Sequence, residues 1–148
     1  MNLTPENATD APTALVATAT AAPATPLATE APLLDHERLD CFKVALEFVG
    51  LVPALTRASR APLRDQLERA AASICLNLAE GSARRTRPDR IHFWSIAQGS
   101  AMKCAAAVDI LRVNGQIALA DAIRAKHKLT RIVQMLVGLR RAEGAVGH

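Results

Sequence analysis

The chain has 148 residues, the size of a single domain, and half of them are apolar whereas only 3% are aromatic. Abundant Ala and Leu favour helices over sheets, and no apolar run reaches the length of a membrane span. The formal net charge is +4, and all 18 Lys and Arg residues lie after position 35. The chain beyond this point is therefore basic, which favours an anionic partner.

Residues 1–34 consist mainly of Ala, Thr and Pro. This composition buries too little apolar surface to offset the entropy of ordering, so we predict a disordered tail. The segment lacks the basic start and apolar core of a signal peptide. The three cysteines, Cys41, Cys75 and Cys104, show no paired spacing. We therefore expect a cytoplasmic protein whose thiols are reduced and buried.

Helix one is predicted from about residue 36 to residue 59, with Asp35 as its cap and a kink or break at Pro53. Its apolar surface is wider than one neighbouring helix can cover. Helix two is predicted from Pro62 to Gly81, and Gly is the residue that most often ends a helix. Because helix two is apolar nearly all round, we expect it to be buried on more than one side.

A narrow polar stripe follows helix two. At 100° per residue, its members are Gln66, Arg69, Ser73, Asn77 and Glu80. In apolar surroundings such groups need hydrogen-bond partners, because an unpaired buried polar group is costly. Two interpretations stay open. The surroundings favour a structural network that fixes helix register or a subunit contact, and the alternative is a pocket for a ligand or partner.

Helix three is predicted over residues 88–113 and helix four over residues 116–141. Their apolar residues alternate in spacings of three and four, which is typical of bundle packing. Lys126 interrupts the apolar seam of helix four, and we expect its ammonium to reach the surface. The connections are short, so the chain predicts an all-α, up-down-up-down antiparallel four-helix bundle over residues 35–142. Residues 143–148 are then a flexible C-terminus.

Two groups of basic residues are candidates for contact with the phosphates of RNA or DNA. The turn between helices two and three carries Arg84, Arg85, Arg87 and Arg90, and helix four carries Arg124, Lys128 and Arg131 in one row. The alternative for each group is a solvated face, which is favoured for the helix-four row. No aromatic residues are interleaved for base stacking, so any contact should be phosphate-dominated and indifferent to sequence.

The sequence contains no pattern typical of catalysis or of a metal site. The four histidines lack partners at metal-ligand spacing, and the pair Asp89 and His92, one turn apart, is common on helix surfaces. A nucleophile elbow and a phosphate-cradling loop are also absent from the sequence. We therefore predict a non-enzymatic protein with no cofactor and no metal.

Several short motifs carry a family resemblance. They are QLERAA at 66–71, SI at 73–74, NLAEG at 77–81, Arg84, Phe93, IA at 96–97 and GS at 99–100. Together they resemble the four-helix-bundle family of intervening-sequence proteins, encoded inside insertions in bacterial large-subunit rRNA genes. The accessory variability protein of diversity-generating retroelements resembles this family too. The resemblance covers about residues 36–142 and implies a four-helix bundle.

The resemblance also implies an assembly and a partner. Relatives form ring-shaped homopentamers, and the retroelement relative binds nucleic acid and a reverse transcriptase. The family pattern has Glu shortly after the Gly-Ser of helix three, where this chain has Lys103, so any pairing of that Glu with an Arg is missing here. Two functions remain open: an oligomer that binds RNA or DNA, and a protein scaffold or accessory subunit that binds no nucleic acid.

Overall fold

The computed structural model describes residues 33–145, and this part of the chain is helical without a strand. A short 3-10 turn, Asp35–Arg38, precedes four helices, α1 (Asp40–Leu55), α2 (Ala61–Ala83), α3 (Arg87–Val113) and α4 (Leu119–Ala145). The predicted all-α fold class is confirmed. The tail predicted for residues 1–34 lies outside the described residues except for Leu33 and Leu34, which are exposed. Residues 146–148 of the predicted flexible C-terminus also lie outside them.

Several helix ends differ from the prediction. α1 continues through Pro53 and ends at Leu55, where the hydroxyl of Thr56 donates to the Val52 carbonyl at 2.9 Å. α2 does not end at Gly81 but continues to Ala83, because Gly81 is a site of close helix packing rather than a left-handed cap. α4 extends to Ala145, three residues beyond the boundary predicted for the bundle.

Contacts between helices fix their directions. In each packed pair, residue numbers rise along one helix as they fall along the other, so the partners are antiparallel. The pairs are Ser73–Ser100 and Gly81–Trp94 between α2 and α3, Asp109–Lys126 and Arg90–Glu143 between α3 and α4, and Cys41–Ile132 and Glu47–Lys128 between α1 and α4. α1 also packs on α2, and the bundle therefore closes on itself.

All four helices contribute to one apolar core. Its largest fully buried side chains include Phe48, Leu67, Ile74, Leu78, Leu111, Leu129, Ile132 and Leu136. Burying one such side chain stabilises a fold by about 1.5–3 kcal/mol. In the described part of the chain, no helix has both the length and the apolarity that crossing a membrane requires.

Candidate functional site

The basic turn is short and is fixed by the first residues of α3. α2 ends at Ala83 and α3 begins at Arg87. Thr86 caps α3, because its hydroxyl accepts from the backbone N–H of Asp89 and donates to the Asp89 carboxylate at 2.5 Å. Pro88 occupies the first turn, where a helix leaves its N–H groups without partners in any case.

Arg90 holds this turn against the end of α4. Its Nε and Nη2 donate to the two carboxylate oxygens of Glu143 at 2.8 and 2.7 Å, and its Nη1 donates to the carbonyls of Arg84 and Arg85 at 3.1 Å. The hydrogen bonds between the two side chains raise the pKa of Arg90 and lower the pKa of Glu143. A guanidinium has five N–H groups, so Arg90 keeps about one for another acceptor. Its main contacts are internal to the protein.

The other three arginines of the turn differ in whether they have a direct interaction partner within the protein. Arg84 pairs with Glu80, one turn earlier, and its guanidinium lies 4.8 Å from the centre of the Phe93 ring. Arg85 is exposed and Arg87 is half-buried, and neither forms an ion pair with any residue between 33 and 145. Arg85 and Arg87 therefore have no direct ion-pair partner, although the charge of Arg87 helps to lower the pKa of Glu143.

The structure adds two arginines to this end of the bundle. Arg140 and Arg141 line a hollow of about 350 Å³ with Ile91 and Val137, and Nη1 of Arg140 donates to Gln98 at 2.7 Å. Sequence reasoning missed both, although the adjacent pair of arginines and the predicted antiparallel packing together indicate this location. Segments 80–90 and 140–143 contain six arginines and three carboxylates, which leaves a net charge of +3.

The basic row on α4 is largely compensated by acidic partners. Arg124 pairs with Asp121 at 3.0 Å, and Lys128 pairs with Glu47 of α1 at 2.5 Å. The hydrogen bond from Lys128 lowers the pKa of Glu47, and the charge of Arg131 acts in the same direction. Lys126 reaches the surface as predicted and pairs there with Asp109 at 2.6 Å. This row is therefore a weaker candidate for anion contact than the turn.

The polar stripe of α2 does not form one network. Gln66, Arg69 and Glu80 are exposed, which corrects the expectation that the whole stripe is buried and internally bonded. Ser73 and Asn77 are half-buried and do bond: Nδ2 of Asn77 donates to the carbonyl of Ser73 at 2.8 Å and to its hydroxyl at 3.0 Å. The Ser73 hydroxyl lies 2.8 Å from the hydroxyl of buried Ser100 in α3. This half of the stripe ties α2 to α3.

The three cysteines are buried free thiols, as predicted. Burial raises the pKa of Cys41 to about 12, of Cys75 to about 11 and of Cys104 to about 12. Among residues 33–145, no group of three or more His, Cys, Asp and Glu residues is placed to hold a metal ion.

Comparison with known proteins identifies the family. The sequence pattern of the 23S rRNA-intervening sequence proteins matches residues 37–138. The chain belongs to the 23S rRNA-intervening sequence protein family. No functionally curated protein matches this chain.

A solved structure resembles this intervening-sequence protein in fold. It is a protein with unknown function from the S23 ribosomal protein family of Bacteroides thetaiotaomicron VPI-5482. The TM-score is 0.64 at 20% sequence identity, and the match covers 68% of this chain and 97% of that one. The comparison supports the predicted four-helix fold.

Lys103, where the resemblance predicts a Glu, lies on the α2/α3 face. Lys103 is exposed and borders a groove with Gln66 and Ala70. It follows Ser100 by one turn, and Arg69 precedes Ser73 by one turn, so the Ser73–Ser100 contact places both cations on the same face. In the described part of the chain Arg69 has no acidic partner.

The first prediction concerns the contact between Ser73, Asn77 and Ser100. We expect Asn77→Leu to lower the free energy of unfolding by about 1 kcal/mol, because it removes two hydrogen bonds from half-buried groups. Urea unfolding followed by circular dichroism measures the change. Gln66→Leu is the matched control at an exposed position of the same stripe, with an expected change within about 0.5 kcal/mol. Equal effects at both positions would mean that the hydrogen bonds contribute nothing.

Proposed function

We propose that this intervening-sequence protein is a non-enzymatic, oligomeric bundle that binds nucleic acid through phosphates, without sequence preference. The observation that carries the proposal is that Arg85 and Arg87 form no ion pair with any residue between 33 and 145, at an end of the bundle with a net charge of +3 over segments 80–90 and 140–143. Each guanidinium can donate two parallel hydrogen bonds to one phosphate. The three free, buried thiols favour a reducing compartment such as the cytoplasm.

An apolar stripe on α1 supports the oligomeric part of the proposal. Phe42, Leu46 and Val49 follow one another at spacings of four and three, so they lie along one side of the helix. Glu47 faces α4 through its pair with Lys128. The stripe lies on the other side of α1, next to α2, and Leu46 is 49% exposed.

α2 carries a matching apolar stripe. Ala72, Leu76 and Ala79 follow one another at spacings of four and three, so they lie along one side of α2. Leu76 is 69% exposed. The two stripes together form an apolar face, here called the α1/α2 face, of the kind that subunit contacts cover. The resemblance to ring-forming relatives is the reason for proposing five subunits. A ring would repeat the basic turn in every subunit, so that several weak contacts add avidity.

The second prediction tests the α1/α2 face. Native mass spectrometry at micromolar concentration should find a multiple of 15.8 kDa for the parent protein, most simply five subunits. Leu76→Glu should shift the population to the monomer, because a charge in an apolar interface must be desolvated without a partner. Met102→Glu is the control, since Met102 is 57% exposed on the α3/α4 side. A parent protein that is monomeric would remove the oligomeric proposal.

The third prediction tests phosphate contact. The parent should bind a structured RNA and an unrelated single-stranded DNA with similar affinity, and the logarithm of the affinity should fall linearly with the logarithm of salt concentration. Replacing Arg84, Arg85 and Arg87 with Ala should weaken binding to both. The salt slope should become shallower by about 0.7 for each single-strand phosphate contact that is lost. Arg90 is left in place because it holds the turn.

The control for this experiment is the double variant Arg124→Ala, Arg131→Ala, which removes two charges from the α4 row. We expect it to retain most of the binding, since Arg124 already pairs with Asp121. If the parent binds neither nucleic acid at low salt, the nucleic-acid proposal is wrong. The exposed apolar α1/α2 face then favours the second candidate, a scaffold or accessory subunit whose partner is a protein.

A further inference from the structure

Arginines from two helices converge on one groove. Arg87 lies in the first turn of α3, and a Cβ atom built on Gly144 of α4 would be 3.8 Å from its Nη2, so its guanidinium lies against the last turn of α4. Ile91 follows Arg87 by one turn and lines the hollow of about 350 Å³ together with Arg140 and Arg141. The groove between α3 and α4 therefore has three arginines at its basic end.

The donors of Arg140 are only partly used by the protein. Its Nη1 donates to Gln98, whereas its Nε is shielded from solvent and finds no acceptor among residues 33–145. A shielded N–H without an acceptor is unfavourable. The nearest anion on α4, Glu143, has both carboxylate oxygens engaged by Arg90. An oxyanion in the hollow would lie beside two guanidinium groups, because both Arg140 and Arg141 line it.

We propose that the phosphate-binding surface is composite, formed by Arg87 of α3 with Arg140 and Arg141 of α4 around the hollow floored by Ile91 and Val137. This inference rests on the proposed nucleic-acid binding and deepens it by naming the groove and its ligand, the phosphodiester backbone. Forked guanidinium groups match the oxygens of a phosphate, and the apolar floor suits the adjoining sugar.

Arg90 and Glu143 are the positioning residues of this surface. Through Arg90, the carboxylate of Glu143 is tied to the carbonyls of Arg84 and Arg85, so the turn and the last turn of α4 are held together. This role predicts that loss of Glu143 changes the affinity for phosphate in the direction opposite to the one expected from net charge. Glu143→Ala removes a negative charge, which by charge alone would tighten binding to phosphate, whereas loss of positioning weakens it.

The test compares two double variants of α4 that each remove two positive charges. The first combines Arg140→Ala and Arg141→Ala, and the second combines Arg124→Ala and Arg131→Ala. A single-stranded DNA is titrated at several salt concentrations. We expect the first pair to weaken binding about tenfold or more and to make the salt slope shallower by about 1.4 for two lost contacts, and the second pair to change affinity less than about twofold. Arg141→Ala alone, at an exposed position, serves if the double variant melts early.

The outcomes separate this inference from the function on which it rests. Unchanged binding in the Arg140 and Arg141 variants, with a loss on changing Arg85 and Arg87, overturns the composite groove and keeps nucleic-acid binding. Equal losses in both double variants also overturn it, because net charge alone would then explain binding. Binding of polyglutamate in preference to DNA assigns the groove to an acidic protein and overturns the phosphate assignment. Tighter binding by Glu143→Ala overturns the positioning role.

Discussion

Gly81→Ala is expected to destabilise the bundle although it adds a good helix former inside a helix. A Cβ atom at this position would lie 2.5 Å from Nε1 and 2.7 Å from Cδ1 of Trp94, and 3.3 Å from Cβ of Phe93. Trp94 is 5% exposed and its indole is rigid, so either the ring or the two helices must shift. Overpacking of this kind costs about 1–3 kcal/mol, against a gain of about 1 kcal/mol from helix propensity. The expected net loss is therefore up to about 2 kcal/mol.

Gly99→Ala is the matched control for this experiment. Gly99 is also helical, but nothing lies within 4 Å of a Cβ built on it. The Gly99→Ala variant should therefore be more stable than the parent by up to about 1 kcal/mol, because Ala has a higher helix propensity than Gly. Urea unfolding gives both values, and Trp94, the sole tryptophan of the chain, reports displacement of its ring by a change in fluorescence emission. A Gly81 variant as stable as the Gly99 variant would show that α2 and α3 adapt without strain.

Gly81 also illustrates which features the sequence can predict. Spacing and composition are local properties, and they correctly predicted four helices and the extent of α3 to within one residue at its start. A glycine near the end of an apolar helix has two uses, a left-handed cap or a close contact. Only the position of Trp94 on the facing helix decides between them. The predicted stop at Gly81 was wrong for this reason.

The candidate site shows the same limit for charges. From the sequence, Arg84, Arg85, Arg87 and Arg90 form one group because they are close together in the chain, and nothing in the sequence distinguishes between them. Glu143, 53 positions beyond Arg90, removes Arg90 from that group, and the same antiparallel contact adds Arg140 and Arg141. Partners at such separations depend on side-chain geometry at the helix ends, which periodicity does not specify. The apolar surfaces of α1 and α2 were easier to predict, since they follow from spacing alone.

Alkaline destabilisation is the second large effect that we expect. Cys41, Cys75 and Cys104 ionise near pH 9.0 when unfolded, whereas burial raises the pKa in the folded protein to about 12, about 11 and about 12. Between pH 9 and pH 11 the unfolded chain therefore holds fewer protons than the native protein, so the free energy of unfolding falls as pH rises. Below pH 8 all three thiols are protonated in both states and contribute no slope. The chain has no Tyr, so no phenol titrates in this range.

Each thiol contributes a slope of up to about 1.4 kcal/mol per pH unit once the pH exceeds its unfolded pKa, or about 4 kcal/mol per unit for the three together. Urea unfolding at pH 7.5, 9.5 and 10.5 measures this slope. Cys104→Ala is the matched variant: it is less stable at pH 7.5, because it leaves a cavity, but its slope above pH 9 should be shallower by about a third. The loss of stability at pH 7.5 comes from packing, whereas the change of stability with pH above pH 9 comes from thiol ionisation, so the slope measures ionisation alone. A parent protein whose stability stays level from pH 7.5 to pH 10.5 would show that the native state admits water to these thiols.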